Sequence, residues 1–318
     1  MKCKICRNKE ATQSGSHITS AFLLTSQIGK RGEERGYLIS TNPDQDYTEN
    51  KGDEGIKEDY LFCPDCEKRL GVVENIYATE ITQKIEDKKF EQNFIKTDFD
   101  KEKYLLECNR ISPIVFQLLI QSNVWRASLS NQQIYGAFKL SDEIENKVNS
   151  NLDLFLPNVE KGQFTQSTKD WLKLIDECNE LFDFLPFALI KAENIENKEM
   201  TYEYFDNISK SPYHIILNEY FILLFDNDLN WSDDFFELNS EFDINSIINN
   251  NNNPPRIAVV SNAKYMHVID KLKKLAIEQK LEKIEKECIK EHYRYGIPIT
   301  PESVKQMMIK KVNERKPE

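Results

Sequence analysis

The sequence predicts an α+β protein: a small metal-stapled N-terminal unit, followed by a larger and mainly helical α+β domain that carries a small sheet. Three observations carry this expectation. Four of the seven cysteines form two Cys-x-x-Cys pairs, Cys3/Cys6 and Cys63/Cys66, all in the first quarter of the chain. Apolar residues at three- and four-residue steps begin directly after the second pair and dominate from there on. Two runs rich in β-branched and aromatic residues, Tyr213 to Phe225 and Arg256 to Val260, interrupt that helical pattern. At 318 residues the chain suits two domains, and the change in composition places the boundary near residue 85, giving 1–85 and 86–318.

The cysteine pairs are the most specific signal. The opening residues MKCKICRNKE carry neither the apolar stretch nor the cleavage site of a secretory signal, so the expected compartment is the reducing cytoplasm, where paired cysteines favour metal over disulfide. Zinc takes four ligands tetrahedrally, and two tight turns with thiolates at i and i+3 supply them, so Cys3, Cys6, Cys63 and Cys66 are the expected structural Zn²⁺ ligands of a finger shaped like a treble clef. A redox role needs a βαβ context that neither pair has. Cys108, Cys178 and Cys288 read as small buried hydrophobes.

Composition limits the partners. Charged residues make up 30% of the chain, mean hydropathy is -0.59, and no apolar run approaches the roughly 20 residues of a membrane-spanning helix, so no membrane partner is expected. A net charge of -11 argues against coating nucleic acid by bulk electrostatics. The charge is uneven, however: residues 264–318 hold 14 Lys and Arg against 9 Asp and Glu.

Taken in order, Gly29 to Gly55 reads as a polar loop or hairpin inserted between the cysteine pairs. Leu70, Val73, Ile76 and Tyr77 predict a helix running on from the second pair, and the charged stretch Glu86 to Lys103 reads as a linker. Ile114 to Leu129 predicts a mostly buried helix after Pro113, ending in a polar turn around Asn131, and Thr168 to Phe184 predicts another. Strands are expected in the two β-rich runs, with a solvated loop at Asn249 to Asn253 before Pro254 and Pro255. Lys264 to Tyr293 predicts a long charged helix with Leu272, Leu275, Leu281, Ile284 and Cys288 along one side. His214, His267 and His292 lie far from the finger in sequence and read as structural or surface residues.

Between the knuckles lies Gly15-Ser16-His17-Ile18, and after the second knuckle come Glu67 and, seven residues on, Glu74. This order resembles the HNH, or ββα-metal, nuclease family over roughly residues 1 to 80. There a zinc knuckle precedes a strand ending in a histidine, an asparagine lies ahead of the second knuckle, and a histidine follows it. The resemblance implies that His17 is the general base on the attacking water. Glu67 falls where the family keeps its metal-binding helical histidine, Glu58 where it keeps asparagine, and Ser16 where it usually has aspartate. Two carboxylates can hold Mg²⁺ or Mn²⁺ through oxygen, so the implied catalytic set is His17, Glu67 and Glu58. A closer resemblance is to a group of largely uncharacterised bacterial HNH-like proteins with a small-residue-His-Ile stretch, Leu-x-Cys-x-x-Cys-Glu/Asp, Leu-Gly and a downstream Trp-Arg-Ala-Ser. Here these are Ser16-His17-Ile18, Leu61 to Glu67, Leu70-Gly71 and Trp125-Arg126-Ala127-Ser128. Trp125 is expected in the core, with Arg126 paired to an acid.

Two functions from different classes follow. One is a metal-dependent phosphodiesterase acting on DNA or RNA, by analogy the effector of a bacterial defence or toxin system. The other is a non-catalytic zinc-stabilised module that binds a protein partner, a larger assembly or nucleic acid.

Overall fold

A computed structural model describes residues 1–20, 22–23, 35–37, 49–51, 57–131, 138–193, 203–205, 211–226, 228–231, 237–250 and 253–314. Four short strands come first: β1 (Ser16–His17), β2 (Arg35–Tyr37), β3 (Glu49–Lys51) and β4 (Lys57–Glu58). β1 pairs antiparallel with β4 and β2 with β3, so the polar stretch between the knuckles contains a paired insertion. The rest of that stretch lies outside the described residues.

Helix α1 (Pro64–Tyr77) starts at the second knuckle, with Pro64 in its first turn beside the acids Asp65 and Glu67. Proline lacks only an N–H that no helix satisfies there, and acids favour the positive end of the helix dipole. A π turn, Ala78–Thr82, continues it. The charged segment expected to be a linker instead forms a 3₁₀ turn, Lys88–Asn93, and strand β5 (Phe94–Asp98) against β6 (Lys103–Cys108). Only Phe94 of β5 is buried, because β5 is a sheet edge, and charge on an edge keeps other strands from pairing with it.

Helix α2 (Pro113–Leu129) is buried at every position from Ile114 to Ser128. Tyr77 stacks on Phe116 and Phe62 on Trp125 on its finger side, while Phe116 meets Phe187 of the sheet, so the helix is enclosed between two layers. Its buried polar side chains find partners: Gln117 and Gln121 reach the carbonyls of Leu185 and Asp183. Helix α3 (Asp142–Phe155) starts on the Ser141 cap, and β7 (Val159–Glu160) and β8 (Gln163–Phe164) form a hairpin whose two turn residues, Lys161 and Gly162, both have positive φ. Helix α4 (Thr168–Glu177) ends earlier than the periodicity suggests. The chain leaves it at Cys178, and Phe182 packs edge-on against Phe155 and Phe184 instead of continuing the helical stripe.

The sheet is larger than the small one expected. It adds β9 (Phe187–Ala192), β10 (Glu203–Phe205), β11 (Tyr213–Leu217), β12 (Tyr220–Leu224), a short helix α5 (Ile244–Ile247), β13 (Ile248–Asn249) and β14 (Arg256–Val260). Eight strands result, in the order β10-β11-β12-β9-β14-β6-β5 with β13 against β9. Among the described residues only β9 and β14 run parallel. The run from Tyr213 to Phe225 is therefore a hairpin, turned at Asn218 with φ 56. Such strands look uniformly apolar because both sheet faces are covered. Phe187, Leu189, Ile215, Ile222 and Val259 join the core shared with α2 and the finger, while Ala188, Ile190, Ile216, Phe221 and Val260 join a second core. The first of these cores extends from Cys3 to Val259 without a break between the finger and the larger domain.

The second core is closed by α6 (Asn262–Tyr295), which buries Tyr265, Val268, Ile269, Leu272 and Ala276 against the sheet. Leu281 is exposed, because the helix has left the sheet by then and pairs with α7 (Pro301–Glu314) around Ile284, Cys288 and Val304. The asparagine-rich loop also departs from expectation at its start. Asn249 is buried, and its side-chain amide both donates to the carbonyl of Arg256 (2.9 Å) and accepts from its N–H (2.7 Å), pinning the entry to β14.

Candidate functional site

The four expected ligands come together. The first knuckle is a tight turn in which Cys3 N–H bonds the Lys9 carbonyl and Arg7, at φ 57, bonds back to the Cys3 carbonyl. Cys63 sits at the α1 N-cap position and Cys66 in the first helical turn, with the Glu67 N–H on the Cys63 carbonyl. Lys9 and Asp65 join the knuckles at 2.6 Å, and the Lys4 N–H meets the Leu61 carbonyl at 3.0 Å. All four Sγ atoms lie within 4.8 Å of one another, and Cys6 Sγ is 3.9 Å from Cys63 Sγ. A tetrahedral site with metal–sulfur bonds of about 2.3 Å needs sulfurs about 3.8 Å apart, so the cluster can hold a metal such as zinc.

The chemistry of the donor set agrees. A hydrogen bond with Cys66 pulls the Cys3 thiol down to about 4; the same bond, with burial, pushes Cys66 far up, and burial raises Cys63. Thiols so close cannot all ionise by themselves, whereas a divalent cation stabilises all four as thiolates. Arg69 supports the second knuckle. It is buried and donates to the carbonyls of Leu152, Asp153, Leu156 and Pro157 at the end of α3, with one guanidinium nitrogen 3.7 Å from Cys66 Sγ. Asn149 of α3 donates to the Lys4 carbonyl, so α3 braces both knuckles.

A second cluster lies beside the first. β1 runs along α1, and Ser16 Oγ donates to Glu67 Oε2 at 3.0 Å. One turn of chain later Ser20 Oγ donates to Glu74 Oε1 at 2.7 Å, while its N–H bonds Asn123 Oδ1. Arg126 reaches in from α2 at 1% exposure and bridges the parts: it donates to the His17 carbonyl (2.9 Å), Ser20 Oγ (3.0 Å), Glu74 Oε1 (2.8 Å) and Asn123 Oδ1 (3.3 Å). Burial raises the Glu67 carboxyl above its ordinary value, opposed by Arg126 and the Ser16 bond and reinforced by Glu74. His17 is half-buried on β1.

Glu58 sits opposite Ser16 in the β1–β4 register, but its carboxylate turns to the end of α2, accepting from Ser130 Oγ (2.6 Å) and from the backbone and side chain of Asn131. Trp125 is buried against Phe62, and Arg126 is paired to an acid, both as the sequence suggests. Arg69, Ser20 and Asn123 carry no signal in the sequence for the roles they take here. Apart from the i,i+3 contacts of Arg69 with Cys66 and of Asn123 with Arg126, their partners in this site lie from about 50 to more than 100 residues away, and no local spacing signals such pairs.

Comparisons of the chain with protein-family models, with curated proteins and with solved structures give no match. Among the described residues no helix is long and apolar enough to cross a membrane.

Proposed function

We propose that the chain is a metal-dependent phosphodiesterase of HNH-like type acting on DNA or RNA, its finger folded around a zinc ion on Cys3, Cys6, Cys63 and Cys66. One contact carries the reading. Ser16 stands where the resemblance expects an aspartate and Glu67 where it expects the helical metal ligand, and these two side chains meet at 3.0 Å, with His17 the next residue along β1. Residues 51 apart in sequence converge there, which places the helical carboxylate against the strand that carries His17.

In this reading Glu67 is the oxygen ligand for Mg²⁺ or Mn²⁺, which when bound stabilises charge on the scissile phosphate. His17 takes the proton from the attacking water. Arg126 holds the His17 backbone and neutralises Glu74, and Glu58 fixes the end of α2; both are positioning residues. The test incubates the protein, purified without chelator, with plasmid and single-stranded substrates and Mg²⁺ or Mn²⁺, beside His17→Ala and Glu67→Gln. The expected result is metal-dependent cleavage lost in both variants, with zinc content unchanged. Wild-type protein without cleavage, or His17→Ala with full activity, removes the proposal.

A second reading has its own support. Glu74 and Glu58 are both engaged in tying the finger to the larger domain, which suits a non-catalytic module whose zinc only maintains a docking surface for a protein partner or assembly. It takes over if the cleavage assay is negative while the protein is folded and loaded with zinc.

A further inference from the structure

The arm formed by α6 and α7 ends in a surface that the site above does not use. Beyond Ala276, α6 leaves the sheet and shares only the small cluster of Ile284, Cys288 and Val304 with α7. The tip joining the helices is firmly built. Gly296 closes α6 at φ 64, a left-handed conformation that costs glycine little, and the Ile297 N–H bonds the His292 carbonyl at 2.9 Å. Thr300 and Ser303 cap α7 reciprocally, each side-chain oxygen accepting the other's N–H. Buried His292 places Nδ1 2.7 Å from the Cys288 carbonyl.

On this ordered tip the outermost side chains are bare. Tyr293 is 76% and Tyr295 66% exposed, with Ile297 and Ile299 next to them. The Arg294 guanidinium lies 5.8 Å from the Tyr295 ring centre. Lys290, Arg294 and Lys305 make no ion pair among the described residues, whereas the neighbouring acids Glu287 and Glu291 are bound by Lys311. The tip thus interleaves aromatic rings with three cations that have no ion-pair partner among the described residues, in a stretch of the -11 chain, residues 264–318, that holds 14 Lys and Arg against 9 Asp and Glu.

We propose that this tip, centred on Tyr293, Arg294 and Tyr295, binds single-stranded nucleic acid and is the substrate-holding surface of the hydrolase proposed above, on which reading its role rests. Exposed rings stack on bases of any sequence, and the cations meet the phosphates. Charge and stacking together select this occupant, since a single strand offers a base to each ring and a phosphate to each cation in regular alternation, whereas a second copy offers only scattered rings such as Tyr60, Phe99 and Phe164. Because α6 packs on the sheet face away from the finger and its 34 residues span about 51 Å, the tip is a remote handle. Strands too short to reach from the site to the tip would not use it.

The test measures fluorescence anisotropy of labelled 30-nucleotide DNA and RNA without added Mg²⁺, using the full chain, Tyr293→Ala/Tyr295→Ala, the corresponding Phe pair and Arg294→Gln. Melting temperature and zinc content check that each variant is folded. The expected result is binding that weakens about tenfold or more with the alanines, persists with the phenylalanines, and has a shallower salt dependence in Arg294→Gln. Cleavage of 30-mers should fall with the alanines while cleavage of 5-mers does not. Absence of binding, equal binding by the alanine pair, or tip-dependent association with anionic vesicles or a second copy in place of nucleic acid overturns the proposal. Cleavage that ignores the tip at every length leaves the hydrolase standing and removes the handle. Tip-dependent binding without any cleavage does the reverse.

Discussion

Replacing Arg126 with methionine should destabilise the whole protein, because this side chain joins the finger to the central helix. Its guanidinium makes hydrogen bonds to the His17 carbonyl, Ser20 Oγ, Glu74 Oε1, Asn123 Oδ1 and the Ser122 carbonyl at 2.8 to 3.3 Å. Methionine fills similar space but removes these five hydrogen bonds and leaves the Glu74 carboxylate without its counter-charge, while the Ser20 donors to Glu74 and Asn123 remain. Breaking a buried pair by removing one partner costs about 3–5 kcal/mol. Glu74 keeps 25% exposure and can be partly rehydrated, so the lower end applies, about 3 kcal/mol. For a chain of this size that lowers Tm by roughly 6 °C, at about 2 °C per kcal/mol. Thermal unfolding followed by circular dichroism measures it. A double-mutant cycle with Glu74→Gln isolates the ion pair: the double variant should be more stable than the sum of single losses implies, by about 1–3 kcal/mol. A Tm for Arg126→Met within about 1 °C of wild type, or strictly additive losses, would refute the assignment of Arg126 as the clamp.

Metal analysis should return close to one zinc per chain, and chelation should unfold the finger. Acidification should release the metal as the thiolates protonate, and Cys63→Ser should lower soluble yield more than Cys178→Ser. Glu241 gives a second pH dependence. Its hydrogen bond to Lys264 at 2.7 Å, joined by Lys103 at 3.2 Å, lowers its carboxyl below the ordinary value. The stability it contributes is thus fully present above the unfolded carboxyl pKa, about 4.3, and is lost as pH falls through the depressed folded value. Comparison of urea midpoints from pH 7 to pH 3 should show a shallower acid decline in Glu241→Gln; an identical decline removes the claim. Asn249→Ala should destabilise by about 1–3 kcal/mol, since it orphans the Arg256 N–H and carbonyl at the start of β14, and an unchanged chemical-denaturation midpoint would contradict that.

The sequence by itself determined the features whose physics is local. Thiolate pairs at i and i+3 outside a βαβ context suit a metal knuckle, so Cys3, Cys6, Cys63 and Cys66 were readable as one cluster. The Pro113 start and dense apolar content likewise specify the buried α2, and β-branched runs specify the strands of the Tyr213 to Leu224 hairpin. Only tertiary structure decided the rest. The charged stretch before Lys103 became an edge strand because β6 was there to pair with it, and the thought-to-be-solvated Asn249 is buried because Arg256 presents both backbone groups to its amide. The roles of the acids were decided the same way. Glu58, Glu67 and Glu74 have the same carboxylate group, yet one fixes a helix end, one meets Ser16 and one neutralises a buried arginine. What a carboxylate does depends on the donors that folding brings to it, and here those donors come from 51 to 73 residues away.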